Sequence, residues 1–229
     1  SGYPKLQKSL QELIKNKLTT VQRLELSSDY ITEGHALKGV LKADMENIRS
    51  TMEKIDYNTF EDVVNNIFAA KRIYIIGLRS SMALAEFLGF YLNIILQNVK
   101  TVGYGISDIF EQMINVGEGD LVIGIGFPRY ASRTIDALAF AQDRGATVVA
   151  VTDSFLSPLA ARADYSLIAQ SNMASFVDSL VAPLSVINAL IIAVGMREKE
   201  NISSTFNSLE EIWREYNVYS YNNRNVGDD

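Results

Sequence analysis

The sequence of 229 residues contains no cysteine and a single histidine, His35. Without cysteine there is no disulfide framework, no thiolate-ligated zinc or iron–sulfur site and no thiol nucleophile, and such a chain is typical of a reducing compartment. We therefore expect a cytoplasmic protein. One histidine also nearly excludes a histidine-rich metal centre or a histidine-dependent triad. Because no metal-ligand spacing is present either, we expect no metal and no other cofactor.

Long uncharged runs are scarce as well. The most apolar stretch, residues 177–196, reaches the length of a membrane span but contains Asp178, Pro183 and Asn188. A spanning helix needs about 20 predominantly apolar residues, so we interpret this stretch as a helix buried in a protein core and expect no membrane partner. The composition, 48% hydrophobic and 21% charged residues, is that of an ordinary globular protein.

The net charge of −6 is unevenly distributed. Residues 1–54 hold 9 Lys and Arg against 7 Asp and Glu, whereas residues 55–229 hold 12 against 20. The acidic part is expected to repel nucleic acid, and only the lysine-containing start could lie near a phosphate backbone. A solvated helix face is the simpler interpretation of those lysines.

From residue 57 onward, helical segments alternate with short apolar runs that end in glycine or a polar turn. The runs predict strands at residues 72–76, 100–104, 121–126, 147–152 and 165–169. The intervening segments predict helices at residues 57–70, 80–97, 107–115, 131–144 and 177–198, with a short turn at residues 157–163. Runs such as 73–76 and 148–151 are apolar on both faces, as in a parallel sheet covered on both sides. We predict a three-layer αβα sandwich with a mostly parallel sheet of about five strands and right-handed crossovers, preceded by N-terminal helices.

Apolar residues also recur at helical spacing before the first strand, at Leu37, Leu41, Met45, Ile48, Met52 and Ile55. This pattern predicts a long amphipathic helix whose apolar stripe contacts a second protomer, or alternatively packs on the sheet domain of its own chain. A final helix is predicted over residues 203–216, capped by the Ser203 hydroxyl, with a frayed polar tail after it.

Two loops that leave strands carry residues suited to an anion. Open parallel sheets bind ligands outside the carboxyl ends of their strands. The loop after the first strand contains Gly77, Arg79, Ser80 and Ser81, and a helix N-terminus with free N–H groups follows it. Arginine adds a planar fork that suits phosphate or carboxylate. Ser80 could instead simply cap the helix, and both interpretations stay open.

The loop after the third strand repeats this pattern with Arg129, Tyr130 and Ser132. A third loop contains Asp153 and Ser154 before the pair Ser157-Pro158. In that pair, serine as N-cap with proline at the first helical position explains most of the pattern. Asp153 is expected to stabilise its turn rather than to hold a metal.

These loops resemble a known family. The motifs Gly-Leu-Arg-Ser-Ser at 77–81, Phe-Pro-Arg-Tyr at 127–130, Thr-Asp-Ser-x-x-Ser-Pro-Leu-Ala at 152–160 and Ser-Phe-Val-Asp-Ser at 175–179 occur in this order. Together they resemble the sugar isomerase (SIS) domain of RpiR-type bacterial transcriptional regulators. The start resembles the last helix of the family's helix-turn-helix domain. The resemblance implies three parts: residues 1–54, a remnant of that domain plus linker helices; 55–200, the SIS domain; and 201–229, a C-terminal helix and flexible tail.

The resemblance implies that a phosphosugar or related acidic sugar binds as an effector at the C-terminal edge of the sheet. The expected binding residues are Gly77, Arg79, Ser80, Ser81, Arg129, Tyr130, Ser132, Asp153 and Ser154. One position departs from the family. Ala131 stands where related regulators carry a hydroxyl, and Ser132 could replace it only from a direction about 100° away around the helix.

The resemblance implies a sensor that relays effector binding to an attached DNA-binding domain, through which alone we expect contact with DNA. We predict a homodimer or a tetramer and no catalytic residue. A phosphosugar isomerase or lyase is the alternative, and it would need a base such as His35, Glu86 or Asp178. A pure oligomerisation scaffold is a third possibility.

Overall fold

Five parallel strands form one sheet in the order β2-β1-β3-β4-β5 in a computed structural model that describes residues 18–27, 36–173 and 176–220. The strands are β1 (Ile73–Gly77), β2 (Val99–Val102), β3 (Leu121–Ile125), β4 (Thr147–Thr152) and β5 (Tyr165–Ile168). Eight α-helices accompany them in the described residues: α1 (Thr20–Ser27), α2 (Ala36–Lys54), α3 (Tyr57–Ala69), α4 (Met82–Leu96), α5 (Ile109–Gln112), α6 (Ser132–Gln142), α7 (Val181–Arg197) and α8 (Lys199–Glu215). Short 3-10 helices lie at Arg79–Ser81 and Ala160–Arg162.

Both faces of the sheet are covered, which confirms the three-layer prediction. Strand side chains such as Ile75, Ile123 and Val149 share one buried cluster with residues of α3, α4 and α7. The alternate side chains, such as Ile76 and Val148, share a second cluster with α5 and α6. Runs that are apolar on both faces thus form strands because each face has a helix layer to pack against.

The order of the strands reverses between β1 and β3. From β1 the chain runs through α4 to β2 on one side, and from β3 it runs through α6 to β4 on the other. Gly77 pairs with Ile125, so the two loops leave the sheet side by side. A Cβ at residue 77 would lie 2.6 Å from the Ser81 carbonyl oxygen, so this turn requires glycine. The two loops consequently diverge around a crevice at the carboxyl edge.

The boundaries of two C-terminal elements differ from the sequence prediction. Helix α8 begins at Lys199, so Ser203 lies inside it and the predicted cap is wrong. The Ser203 hydroxyl instead donates to the Lys199 carbonyl at 2.8 Å, a local bond that serine makes readily within helices. Helix α7 begins at Val181, which leaves Asp178 in the loop before it rather than in its first turn.

Helix α2 is attached to the sheet domain through polar side chains. Asn47 and Thr51 are its buried residues. The Asn47 amide donates to the Asn172 carbonyl at 2.9 Å, and the Thr51 hydroxyl accepts the Gln170 N–H at 2.8 Å. Residues of the apolar stripe remain exposed: Leu37 by 76%, Leu41 by 55%, Met45 by 65% and Met52 by 62%. Much of the stripe therefore points away from its own domain.

No single helix among the described residues has the length and apolar character needed to cross a membrane. Val181–Arg197 and Ile202–Glu215 meet that test only when taken together across a bend of 109°. The expectations for residues 1–17, for His35 and for residues 221–229 fall outside the described residues.

We expect Thr51→Val to lower the free energy of unfolding by about 1–3 kcal/mol, because the buried Gln170 N–H loses its acceptor. Urea denaturation measures this change. Ser208→Ala is the control, because it removes only an exposed hydrogen bond from the hydroxyl to the Ser204 carbonyl. It should lower the free energy of unfolding by less than about 0.5 kcal/mol. Equal stability of the two variants would contradict the attachment of α2 described above.

Candidate functional site

Two pockets open at the carboxyl edge of the sheet. The first, here the crevice pocket, has a volume of about 180 Å³ and is formed by the loops after β1 and β3. The second, here the side pocket, has a volume of about 330 Å³ and is formed mainly by the segments after β4 and β5. Arg23, Pro128 and Asp178 line both pockets, so the two are neighbouring parts of one site.

The loop after β1 directs polar groups into the crevice pocket. Arg79 has a φ of 58°, a conformation that residues other than glycine rarely adopt and that is often found at ligand sites. Ser81 is the buried N-cap residue of α4, yet its side chain makes no capping hydrogen bond. Ser80 is exposed and also lines the pocket. The interpretation of Ser80 as a simple helix cap therefore has no support in the geometry.

Helix α6, which follows the loop after β3, supplies a buried hydroxyl. Thr134 is only 1% exposed and lines the crevice pocket, and its Oγ1 atom has no hydrogen-bond partner among the described residues. A buried hydroxyl in this state costs about 1–3 kcal/mol of folding free energy, which a bound acceptor would recover. The N-cap residue of α6 is Ala131, which offers no side-chain cap. The free N–H groups of this first helical turn therefore remain available as donors.

Thr134, rather than Ser132, provides the hydroxyl near the position of Ala131. Ser132 is exposed and lines neither pocket. Residues three apart lie on one face of a helix, whereas adjacent residues do not. The spacing of Ala131 and Thr134 is the sequence signal that could have identified this residue.

Three arginines line the crevice pocket: Arg23, Arg79 and Arg129. Arg129 Nη1 donates to Thr20 Oγ1 at 3.1 Å. Arg23 is 4% exposed, and its Nη1 atom lies 3.0 Å from Asp178 Oδ1 in an ion pair. Thr20 and Arg23 both belong to α1, about fifty positions before β1 in the sequence. No local motif connects them with the loops, and sequence reasoning missed both.

The pKa of Asp178 is raised above its ordinary value, chiefly because burial disfavours the charged carboxylate. The nearby Arg23 opposes this shift through its charge and its hydrogen bond, and Arg129 opposes it more weakly. The negative charge of Asp153 adds to the rise. Asp178 is thus a carboxyl group held between cations in a partly desolvated pocket.

The side pocket combines a carboxylate, hydroxyls and amides. Asp153 and Ser154 line it together with Gln170, whose Nε2 donates to the Asp153 carbonyl at 3.1 Å. The Tyr130 hydroxyl donates to Asp153 Oδ1 at 2.7 Å. Tyr130 lines neither pocket itself and instead orients Asp153. The Ser157 hydroxyl accepts the Ala160 N–H, as expected of a structural serine.

The structure brings most of the predicted site residues together. Arg79, Ser80, Ser81 and Arg129 line the crevice pocket, and Asp153 and Ser154 line the side pocket. Gly77 shapes the turn beneath, Tyr130 acts through Asp153, and Ser132 lies apart. Glu86 is exposed and lines neither pocket. Within the described ranges, no group of three His, Cys, Asp or Glu side chains could hold a metal ion.

The two pockets present different chemical groups to a ligand. Arginines, free hydroxyls and two helix N-termini surround the crevice pocket, and each of these groups favours an anion with several acceptor oxygens. The side pocket offers donors and acceptors together with apolar surface from Phe155 and Ile168, which suits a small polyhydroxylated body. The whole site can therefore hold a small molecule with one anionic end.

Comparisons with known proteins agree with this fold. Residues 66–193 match the model of the SIS domain family. The sugar isomerase domain of an RpiR transcription factor from Sphaerobacter thermophilus is 30% identical, with a TM-score of 0.74 over 77% of this chain and 99% of that one. The Vibrio vulnificus NanR protein, complexed with ManNAc-6P, is 19% identical with a TM-score of 0.67 over 84% of this chain and 74% of that one, a likeness of fold.

A curated relative extends the comparison. An uncharacterized HTH-type transcriptional regulator from Haemophilus influenzae is 28% identical over 182 residues, which make up 78% of this chain and 62% of the regulator. Another, from Caldanaerobacter subterraneus, is 29% identical over 103 residues and is matched over 36% of its length. The chain thus spans less than two thirds of the curated relatives that it matches.

We expect Thr134→Val to weaken the binding of inorganic phosphate by roughly 10- to 150-fold, since a hydrogen bond from a hydroxyl to a charged acceptor is worth about 1.5–3 kcal/mol. Without phosphate the variant should be as stable as the wild type or slightly more so, because it removes an unpartnered buried hydroxyl. Calorimetric titration and thermal denaturation measure the two effects. Ser132→Ala is the matched control and should bind as the wild type does. The reverse outcome, with Ser132→Ala defective, would assign the hydroxyl to Ser132.

Proposed function

The chain belongs to the SIS domain family, with a domain of the RpiR type, and we propose that it is the effector-sensing part of a transcriptional regulator of sugar metabolism. In this proposal a phosphosugar or related acidic sugar binds with its anionic group in the crevice pocket. The observation that carries the proposal is the buried Thr134 hydroxyl, which has no partner among the described residues and lines the same pocket as Arg79 and Ser81. The oxygens of a phosphate bound there would accept hydrogen bonds from these three side chains.

The remainder of the sugar would occupy the side pocket. Arg23, Pro128 and Asp178 line both pockets, so the two are neighbours, and in this proposal one small ligand extends from one to the other. The carboxylate of Asp153, held in place by Tyr130, and the side chain of Gln170 are suited to hydrogen bonds with sugar hydroxyls. Specificity among sugars would then depend on the segments after β4 and β5.

A regulator also needs a route from the effector to its DNA-binding part. Helix α2 offers one, because Asn47 and Thr51 bind the backbone of residues 170–172, which also line the side pocket. A ligand can shift α2 only if it binds one position of this segment more tightly than another. The exposed stripe of α2 would transmit the shift to a second protomer in a homodimer or tetramer.

The relatives support this assignment at the level of the protein class. The curated relatives are HTH-type transcriptional regulators, and the similar domain from Sphaerobacter thermophilus comes from an RpiR transcription factor. NanR, a protein of the same fold, binds ManNAc-6P, so a phosphorylated sugar is the first class of ligand to test. We further propose that contact with DNA requires a helix-turn-helix domain and that the protein acts in the cytoplasm.

A phosphosugar isomerase is a second candidate, favoured by one observation. Asp178 lines the side pocket and its pKa is raised, which is a property of many catalytic bases. Its ion pair with Arg23 argues against this role, because a guanidinium bound to the carboxylate lowers its basicity. We therefore prefer the sensor.

A panel of sugar phosphates, including ManNAc-6P, separates the two candidates. We expect at least one member to raise the thermal unfolding temperature without being converted, since binding to the native state alone stabilises it. The matching unphosphorylated sugar should have no such effect, because the crevice pocket then stays empty. Product formation, followed by proton NMR, would contradict the sensor.

The same titrations test the binding residues. Arg79→Ala and Ser81→Ala should each weaken the binding of the stabilising sugar phosphate by about 1–3 kcal/mol, as expected for lost charge-assisted hydrogen bonds. Arg162→Ala, which removes an exposed arginine of a 3-10 helix outside both pockets, is the control. Unchanged affinity in both site variants would refute the assignment.

A further inference from the structure

Helix α1 forms part of the wall of the crevice pocket. Thr20 and Arg23 lie three residues apart, on the same face of the helix, and both line this pocket. Thr20 accepts a hydrogen bond from Arg129, and the nearly buried Arg23 is paired with Asp178. The segment before the sheet domain therefore contacts the proposed anion position through two side chains.

Asp178 already places a negative charge in this pocket. Among the described residues, the charged groups around it come from four separate segments: Arg23 from α1, Arg129 from the loop after β3, Asp153 from the loop after β4 and Lys54 from the end of α2. An ionised Asp178 would repel an anionic ligand in the same small space. The effector's anion and the Asp178 carboxylate thus compete for the same guanidinium.

We propose that Arg23 is an effector-binding residue supplied by α1, and that Asp178 is its resting partner, which the anionic group of the effector replaces. The inference rests on the proposed function of the crevice as an anion site. In the free protein the ion pair holds α1 against the pocket. In the complex Arg23 donates to the effector, and Asp178 is released toward the side pocket or takes up a proton. The effector then acts directly on the N-terminal helix, in addition to the route through α2.

The exchange predicts a definite dependence on pH. A neutral Asp178 does not compete with the anionic ligand for Arg23. Burial favours this neutral form by raising the pKa of the carboxyl group. Anion affinity should therefore rise as the pH falls toward that pKa and decline as the pH rises above it. Sulfate is a suitable probe, because its own charge stays constant over this range whereas that of a phosphate monoester changes near a pH of about 6.

Calorimetric titration of sulfate at several pH values tests the exchange. We expect Asp178→Asn to bind sulfate about tenfold more tightly than the wild type near neutral pH and with a weaker pH dependence. Arg23→Gln should bind about tenfold more weakly, and Arg23→Lys, which keeps the charge, should recover part of the loss. Arg49→Gln, which removes an exposed arginine of α2, should behave as the wild type.

Hydrogen exchange supplies a readout that a purely structural role would not change. Sulfate should alter the protection of backbone amides in residues 20–27 of the wild type and not in Arg23→Gln. One outcome overturns the exchange but not the anion site: sulfate binds, Thr134→Val weakens that binding, and neither Asp178→Asn nor Arg23→Gln changes the affinity. If neither sulfate nor any sugar phosphate binds the wild type, both are overturned.

Discussion

The reversal of strand order between β1 and β3 is the constraint on which the site depends. Because the chain leaves β1 toward one edge of the sheet and β3 toward the other, α4 and α6 diverge and their N-termini border the same crevice. The pairing of Gly77 with Ile125 fixes the two loops side by side. One pocket is consequently lined by Arg79, Arg129, the serines of the first loop and the buried hydroxyl of Thr134.

The sheet and its layers could be predicted from sequence because each strand is a short run that is apolar on both faces, and the helices between them have clear periodicity. The loops after β1 and β3 were likewise identifiable, since glycine, arginine and hydroxyls follow the strands directly. Thr134 was missed because its role depends on where α6 begins: with Ala131 as N-cap, the first turn directs residue 134, and not residue 132, into the crevice.

Contacts between distant segments were beyond sequence reasoning. Arg23 and Asp178 are separated by 155 positions, and nothing in either local sequence marks the other as a partner. The attachment of α2 through Asn47 could not be predicted either, because nothing in the local sequence marks this polar side chain as buried. Most of the apolar stripe is exposed, and only its end at Ile55 packs against the core.

In the proposed function, sensing and transmission share residues. The edge of the sheet forms the bottom of the site, and residues of the N-terminal helices form part of its sides. A ligand that fills the site therefore contacts the elements that precede the sheet domain. A site formed by the sheet domain alone would need a separate conformational relay. In the proposed exchange, the charge of Arg23 links the two functions through its ion pair with Asp178.

The decisive experiment is a crystal structure of the chain with a stabilising sugar phosphate. We expect the phosphate to lie between the loops after β1 and β3, with its oxygens accepting hydrogen bonds from the hydroxyls of Ser81 and Thr134. A phosphate bound elsewhere, with the Thr134 hydroxyl still lacking a partner, would contradict it.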